Sequence, residues 1–316
     1  MKVTIYRIAK VFVLIWGMIA SSATWAEEQS ASSDADCQNS FEYMRQLARL
    51  DASPYKAVYN DGWCEIRDLQ IEPIIEIELI RWQISGWKQI SPLELPDALN
   101  LQISGIRFFM YRMSGIGRNI DPLMEYILKV SAMADPKANV VLDFTRVGMG
   151  TSSAGHDYIV NKFKFELSPA NSISFNGQLR NVNLAEVMDS VFEVTAISID
   201  RAELEIVSHG VFERNVFPAL ANELLLYTSD PEAEFAMLKE RTITLIQQSD
   251  DFFDASSQDA LVRLIADMPH PKGRLRIEMF PENGFSLVNL GRITQADDLG
   301  DVLGEANLSF SYDQTK

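Results

Sequence analysis

Apolar and polar residues alternate most cleanly between Tyr158 and Val207. Phe163, Phe165 and Leu167 alternate with Lys162, Lys164 and Glu166, and Ile173, Phe175 and Leu179 with Ser174, Asn176, Gln178 and Arg180. A period of two puts one set on each face of a sheet, apolar inward and polar outward. Ser168-Pro169-Ala170-Asn171 separates the two runs with turn chemistry. A third run follows at Ile197-Ile199 and Leu204-Ile206. The pattern predicts antiparallel strands with one face buried and one face wet.

The same period recurs earlier. Ile75, Ile77 and Leu79 share one parity, and Ile80, Trp82 and Ile84 the other. Leu99, Leu101 and Ile103 likewise give way, across Ser104-Gly105, to Ile106, Phe108 and Met110. A change of parity, and a Gly inside a strand pattern, are signs of a bulge, so the sheet is expected to be curved. Asp61-Gly62 marks a turn ahead of Trp63-Cys64, and a further strand is expected from Val140 to Val147.

Helical spacing appears in between. Phe41, Met44, Leu47 and Ala48 share a face, and Asp121-Pro122 opens a stripe of Leu123, Ile127, Val130 and Ala134. A short helix is expected from Leu184 to Val194. Residues 212–268 read as a helical block. Its stripes are Val216, Phe217, Leu220, Ala221, Leu224 and Leu225; then Phe235, Leu238, Leu245 and Ile246 after Asp230-Pro231; then Leu261, Leu264, Ile265 and Met268, with Ser256 and Asp259 as the expected cap. Pro269 and Pro271 end the block. Strand grammar returns at Leu275, Ile277 and Met279, with Asn283-Gly284 as a hairpin signal before Phe285 and Leu287, and a last strand at Leu308, Phe310 and Tyr312. Strands flank the helical block on both sides. The expected fold is α+β, a curved, bulged antiparallel sheet packed against that block, in one domain over 37–316.

The N-terminus changes where this fold is placed. Lys2, Arg7 and Lys10 precede an apolar stretch from Val11 to Ala20, about ten residues and too short to span a bilayer comfortably. Thr24-Trp25-Ala26 supplies a cleavage site. Residues 1–26 read as a cleaved signal peptide, with an uncleaved anchor as the competing reading, and 27–36 as a flexible polar leader. The full chain carries −16, and loss of three cations with the signal leaves about −19. That charge repels phosphate backbones, so nucleic acid is not an expected partner. Cys37 and Cys64, an even pair in an exported chain, are expected to form a disulfide.

Candidate chemistry is sparse. Gly148-Met149-Gly150-Thr151-Ser152-Ser153-Ala154-Gly155-His156-Asp157 combines glycines, serines, a histidine and an aspartate. It lacks phosphate-loop and nucleophile-elbow spacings, so a flexible hairpin loop is expected, and Ser152 or Ser153 with His156 is the hydrolase alternative. His156, His209 and His270 are far apart, and no metal or cofactor site is expected. Asp250, Asp251 and Asp254 read as a solvated acidic loop without the remainder of a calcium loop. Asp200, Arg201, Glu203 and Glu205 decorate the wet face of a strand.

A Cys-bounded helix closes on Trp63-Cys64-Glu65-Ile66-Arg67-Asp68. A Leu95-Pro96 strand runs to Gly105-Ile106, Gly210-Val211-Phe212-Glu213-Arg214 opens the helical block, and a closing strand ends near Pro281. This order of parts resembles exported Gram-negative envelope proteins of unknown function. The resemblance implies an envelope location and lends no catalytic residue and no ligand. The expected function is that of a periplasmic, non-catalytic protein that binds an envelope partner or supports envelope maintenance. The alternative is a carrier of a lipid or other apolar ligand, its cavity lined by residues such as Phe108, Met110, Phe163 and Phe175.

Overall fold

The computed structural model describes residues 31–47, 55–71, 75–88, 95–108, 137–149, 156–168, 170–182, 197–209, 230–250, 252–286 and 304–314. The signal peptide, the helices expected at 121–134 and 184–194, the stripe from Val216 to Leu225, Met110, Leu287, and Ser152 and Ser153 lie outside them. Among the described residues the chain is sheet-dominated. The elements are α1 (Asp34–Leu47), β1 (Val58–Asn60), β2 (Trp63–Ile71), β3 (Ile75–Ser85), β4 (Ala98–Phe108), β5 (Ala138–Met149), β6 (His156–Ser168), β7 (Asn171–Val182), β8 (Ser198–His209), α2 (Pro231–Gln247), α3 (Ala255–Asp267), β9 (Lys272–Met279), β10 (Phe285–Ser286) and β11 (Leu308–Gln314). The strands form a large antiparallel sheet that does not close. Strands β1 to β9 follow chain order, β11 lies beside β9, and β10 beside β8.

The chain divides into two compact units. The first holds residues up to Ser168 together with 178–197, and the second holds 169–177 with Ser198 onward. In the first unit one face of β2 to β6 is deeply buried, through Ile66, Trp82, Leu101, Leu142, Phe144, Tyr158, Phe163 and Phe165. The expected parity changes are present, with a different cause from a simple bulge in β3. The buried set in β3 passes from Ile77 to Ile80, and in β2 from Ile66 to Leu69. The register between β2 and β3 stays constant from Cys64↔Trp82 to Ile71↔Ile75. Both strands therefore change face together. Asp68 at φ 52° and Gly105 at φ 70° lie on either side of Glu78 on one row across β2, β3 and β4. A left-handed residue reverses the pleat locally. The extra residue is taken up between β4 and β5, where the register shifts between Ile103 and Ile106. A second shift, between Asp143 and Phe144, leaves Asn161 of β6 outside the ladder and moves the buried set from Val160 to Phe163.

Helix α1 begins earlier than the sequence reading allowed, inside the stretch read as a leader. The Ser33 hydroxyl accepts from Asp36 N at 3.2 Å, the Ser33 carbonyl accepts from Cys37 N at 2.9 Å, and Asp34 and Asp36 favour the positive end of the helix. Cys37 is joined to Cys64 by a disulfide across 27 residues of sequence, a loop worth roughly 3–4 kcal/mol in the chain-entropy account. Cys37, Phe41 and Met44 form the buried stripe. Between them, buried Ser40 accepts a hydrogen bond from Trp82 Nε1 at 3.0 Å and donates to the Cys37 carbonyl at 3.1 Å. Helix α1 also closes the edge of β1: Tyr59 N donates to Asp34 Oδ1 at 2.7 Å, and Ala57 N, just before the strand, to Gln38 Oε1 at 3.1 Å.

In the second unit, Asp230 caps α2 as expected, accepting from Ala233 N at 3.1 Å with Pro231 in the first turn. Helix α3 is capped by Asp254, not by Ser256 and Asp259. Asp254 Oδ1 accepts from Ser257 N at 2.6 Å and Ser256 Oγ at 2.9 Å. The two helices are tied by Lys239, which donates to the carbonyls of Ala266 and Met268 at 2.7 and 2.6 Å, at the negative end of α3. Helix α3 lies along β11: the Ser257 hydroxyl accepts from Phe310 N at 2.9 Å, and Arg263 donates to the Tyr312 carbonyl at 3.4 Å. Asn283-Gly284 does not make a hairpin. Both β9 and β10 pair antiparallel with β8, through Ala202↔Met279 and Phe285↔Ile199, so residues 280–284 are an excursion within one line of pairing. Gly284 has φ 78°, and a Cβ there would meet Ser198 Oγ at 2.6 Å, so the chain can rejoin β8 only with glycine.

Candidate functional site

The sequence-named loop is mostly strand at its ends. Gly148 pairs with Asp157 and Met149 with His156. Asp157 Oδ1 accepts from Asn181 N at 3.1 Å, and the His156 ring lies 6.1 Å from Tyr158, edge to face. Ser152 and Ser153 are outside the described residues, so the hydrolase pair is not assembled by the described geometry. His209 ends β8, paired with Lys272, instead of occupying a turn, and its N–H donates to Asn171 Oδ1 at 2.7 Å. Asp254 is engaged as the α3 cap and Asp250 accepts from Gln258 Nε2 at 2.9 Å. Glu203 and Glu205 sit on the wet face of β8, as expected, opposite Arg276 and Arg274 of β9 at 2.9 and 3.5 Å. Among the described residues no group of His, Cys, Asp and Glu could hold a metal ion.

The arrangement that can bind something lies in the first unit. Tyr55, Lys56, Val58, Glu65 and Arg67 line a hollow of about 470 Å³, within the size range of small-ligand sites. Strand alternation puts Glu65 on the face opposite Cys64 and Ile66, hence away from α1. Its residue is nevertheless only 8% exposed. One carboxylate oxygen, Oε2, accepts from Arg67 Nη2 at 3.0 Å. The cross-strand neighbour of Glu65 is Arg81, but that guanidinium is engaged elsewhere. Its Nε and Nη2 donate to Gln102 Oε1 at 2.8 and 2.6 Å, and it stacks 4.8 Å over the Trp63 ring. Among the described residues Oε1 of Glu65 has no hydrogen-bond partner. Burying a carboxylate is costly unless each oxygen is satisfied.

The wall of the hollow is fixed by α1. Tyr55 packs edge-on against Phe41, with ring centres 4.6 Å apart, and its hydroxyl donates to Glu42 Oε2 at 2.9 Å. Glu42 also takes both Nε and Nη2 of Arg45, at 2.8 and 2.6 Å, and Gln46 Nε2 at 3.0 Å. Those donors, Arg45 first, hold the Glu42 carboxyl down to about 2. Burial, then the Glu42 carboxylate, push the Tyr55 phenol up.

Sequence reasoning did not find Glu65. An acid between Trp63-Cys64 and Ile66 reads as a wet strand position, and its burial depends on cross-strand register and on Arg81 turning to Gln102. The Glu42–Arg45 pair was visible as an i, i+3 spacing. The chain matches no protein-family model, and comparison with the curated proteins gives no match.

Proposed function

We propose that this chain is an exported, non-catalytic binding protein of the periplasm that engages an envelope partner or supports envelope maintenance. The observation that carries this reading is the filled core of the first unit. Phe163, Phe165, Phe144 and Tyr158 are all at most 9% exposed, so the face most able to hold an apolar ligand is occupied by its own side chains. The disulfide is compatible with an oxidising compartment. Among the described residues no helix is long and apolar enough to cross a membrane. The reading retains a curved sheet backed by a helical block over 212–268.

The carrier reading is favoured by a different observation. Leu204, Ile206, Leu275, Ile277, Leu308 and Phe310 in the second unit are half-buried. Urea unfolding with and without phospholipid vesicles separates the two readings, together with mass spectrometry of an organic extract of the exported protein. A binder keeps the same midpoint and yields no stoichiometric lipid. A midpoint raised by lipid, with lipid in the extract, overturns the binder in favour of the carrier.

A further inference from the structure

We infer that the hollow between Tyr55 and Arg67 binds a small zwitterion of the amino-acid kind, its ammonium on Glu65 and its carboxylate on Lys56 and Arg67. The inference rests on the reading of the chain as a binding protein and names what this site takes. Glu65 lines the hollow with a carboxylate oxygen that no described residue satisfies, while Arg67 holds the other oxygen. A donor is therefore called for at that oxygen, and a cationic donor gains most. Lys56 and Arg67 are both exposed, so a carboxylate can reach them. A purely cationic ligand meets these two cations, and a purely anionic one meets Glu65. A ligand carrying both charges satisfies the whole lining. Val58 and the Tyr55 ring offer an apolar wall to a side chain, and the Glu42 bond holds that ring in place.

The test is calorimetric titration of the folded, disulfide-intact protein with leucine, N-acetylleucine and leucinamide. Leucine is expected to bind saturably, and the two single-charge relatives at least about tenfold more weakly. Glu65→Gln is expected to weaken leucine at least about tenfold without weakening N-acetylleucine. Lys56→Gln, at an exposed position with no fold to lose, is expected to weaken leucine without weakening leucinamide. No saturable heat with leucine, or equal affinity for the three probes, overturns the inference. Neither result touches the lipid experiment, and a lipid-raised midpoint would overturn the binder reading whatever leucine does.

Discussion

The two units use the same alternating grammar and reach different depths of burial. In the first, alternation becomes a close-packed face: Trp82, Leu142, Phe144, Tyr158 and Val160 are each at most 1% exposed. In the second, the face made by Leu204 and Ile206, Leu275 and Ile277, and Leu308 and Phe310 is half-buried, with Tyr312 and Ala202 as its closed points. Period two tells which side of a strand is apolar. It does not tell how much material lies over that side. A stapled helix lies on the first sheet face, with Cys37, Phe41 and Met44 buried. In the second unit the described helix α3 runs along the edge strand β11.

The largest expected effect tests that difference directly. Phe163→Ala removes a fully packed ring and should cost about 3–5 kcal/mol in urea unfolding. Phe310→Ala, half-buried beside Phe253 at 5.6 Å, should cost about half of that, roughly 2 kcal/mol. Equal losses would mean that the second face is as well packed as the first, and the comparison would fail.

How much of this was legible follows from what each feature depends on. The strands around Phe163, Ile80, Leu99 and Tyr312 were readable because strand pairing preserves local alternation. The Asp230-Pro231 cap was readable because its chemistry is complete within four residues. The disulfide followed from counting cysteines. The Asn283-Gly284 hairpin was misread because the turn residues fix a local φ, while the partner strand is chosen by distant β8. Ser257 and Glu65 were missed for the same reason: one is an ordinary helix residue until β11 lies beside it, the other an ordinary wet-face acid until its register with Arg81 is known.

The edges sharpen the comparison. Both units close an outermost strand with helix side chains, which removes a template for strand addition. They do so in different surroundings. Ser257 is fully buried, so Ser257→Ala leaves the Phe310 N–H without an acceptor and should cost about 1–3 kcal/mol. Tyr59 is exposed, so Asp34→Ala lets water take over its N–H and should cost less than about 1 kcal/mol. Amide hydrogen exchange would be accelerated strongly at Phe310 in the first variant and weakly at Tyr59 in the second. The reverse order would place the better-sealed edge in the first unit.

The smallest effects lie at the two ends of the pH scale, one for each unit. Glu42 has a depressed carboxyl, about 2 against an ordinary 4.5, because Arg45, Gln46 and Tyr55 all donate to it. The stability it contributes is present above about pH 4.5 and is lost as pH falls toward 2. Its side chain is 37% exposed, so solvent screening keeps this contribution modest. Tyr312 behaves in the opposite sense. Burial raises its phenol, the carboxylate of Asp267 at 2.8 Å raises it further, and the Lys272 carbonyl lies at 3.2 Å. A raised phenol contributes stability that is present below the ordinary value near 10 and is lost as pH climbs through the folded value. Glu42→Gln should therefore flatten the acid limb of a stability–pH profile and leave the alkaline limb alone, and Tyr312→Phe should do the reverse. Exchange protection read separately at Tyr55 and at Leu275 assigns each limb to its unit. Should Tyr312→Phe leave the loss of protection at Leu275 between pH 9 and 11 unchanged, that limb would belong to some other group, and Tyr312 would be anchoring β11 by packing alone.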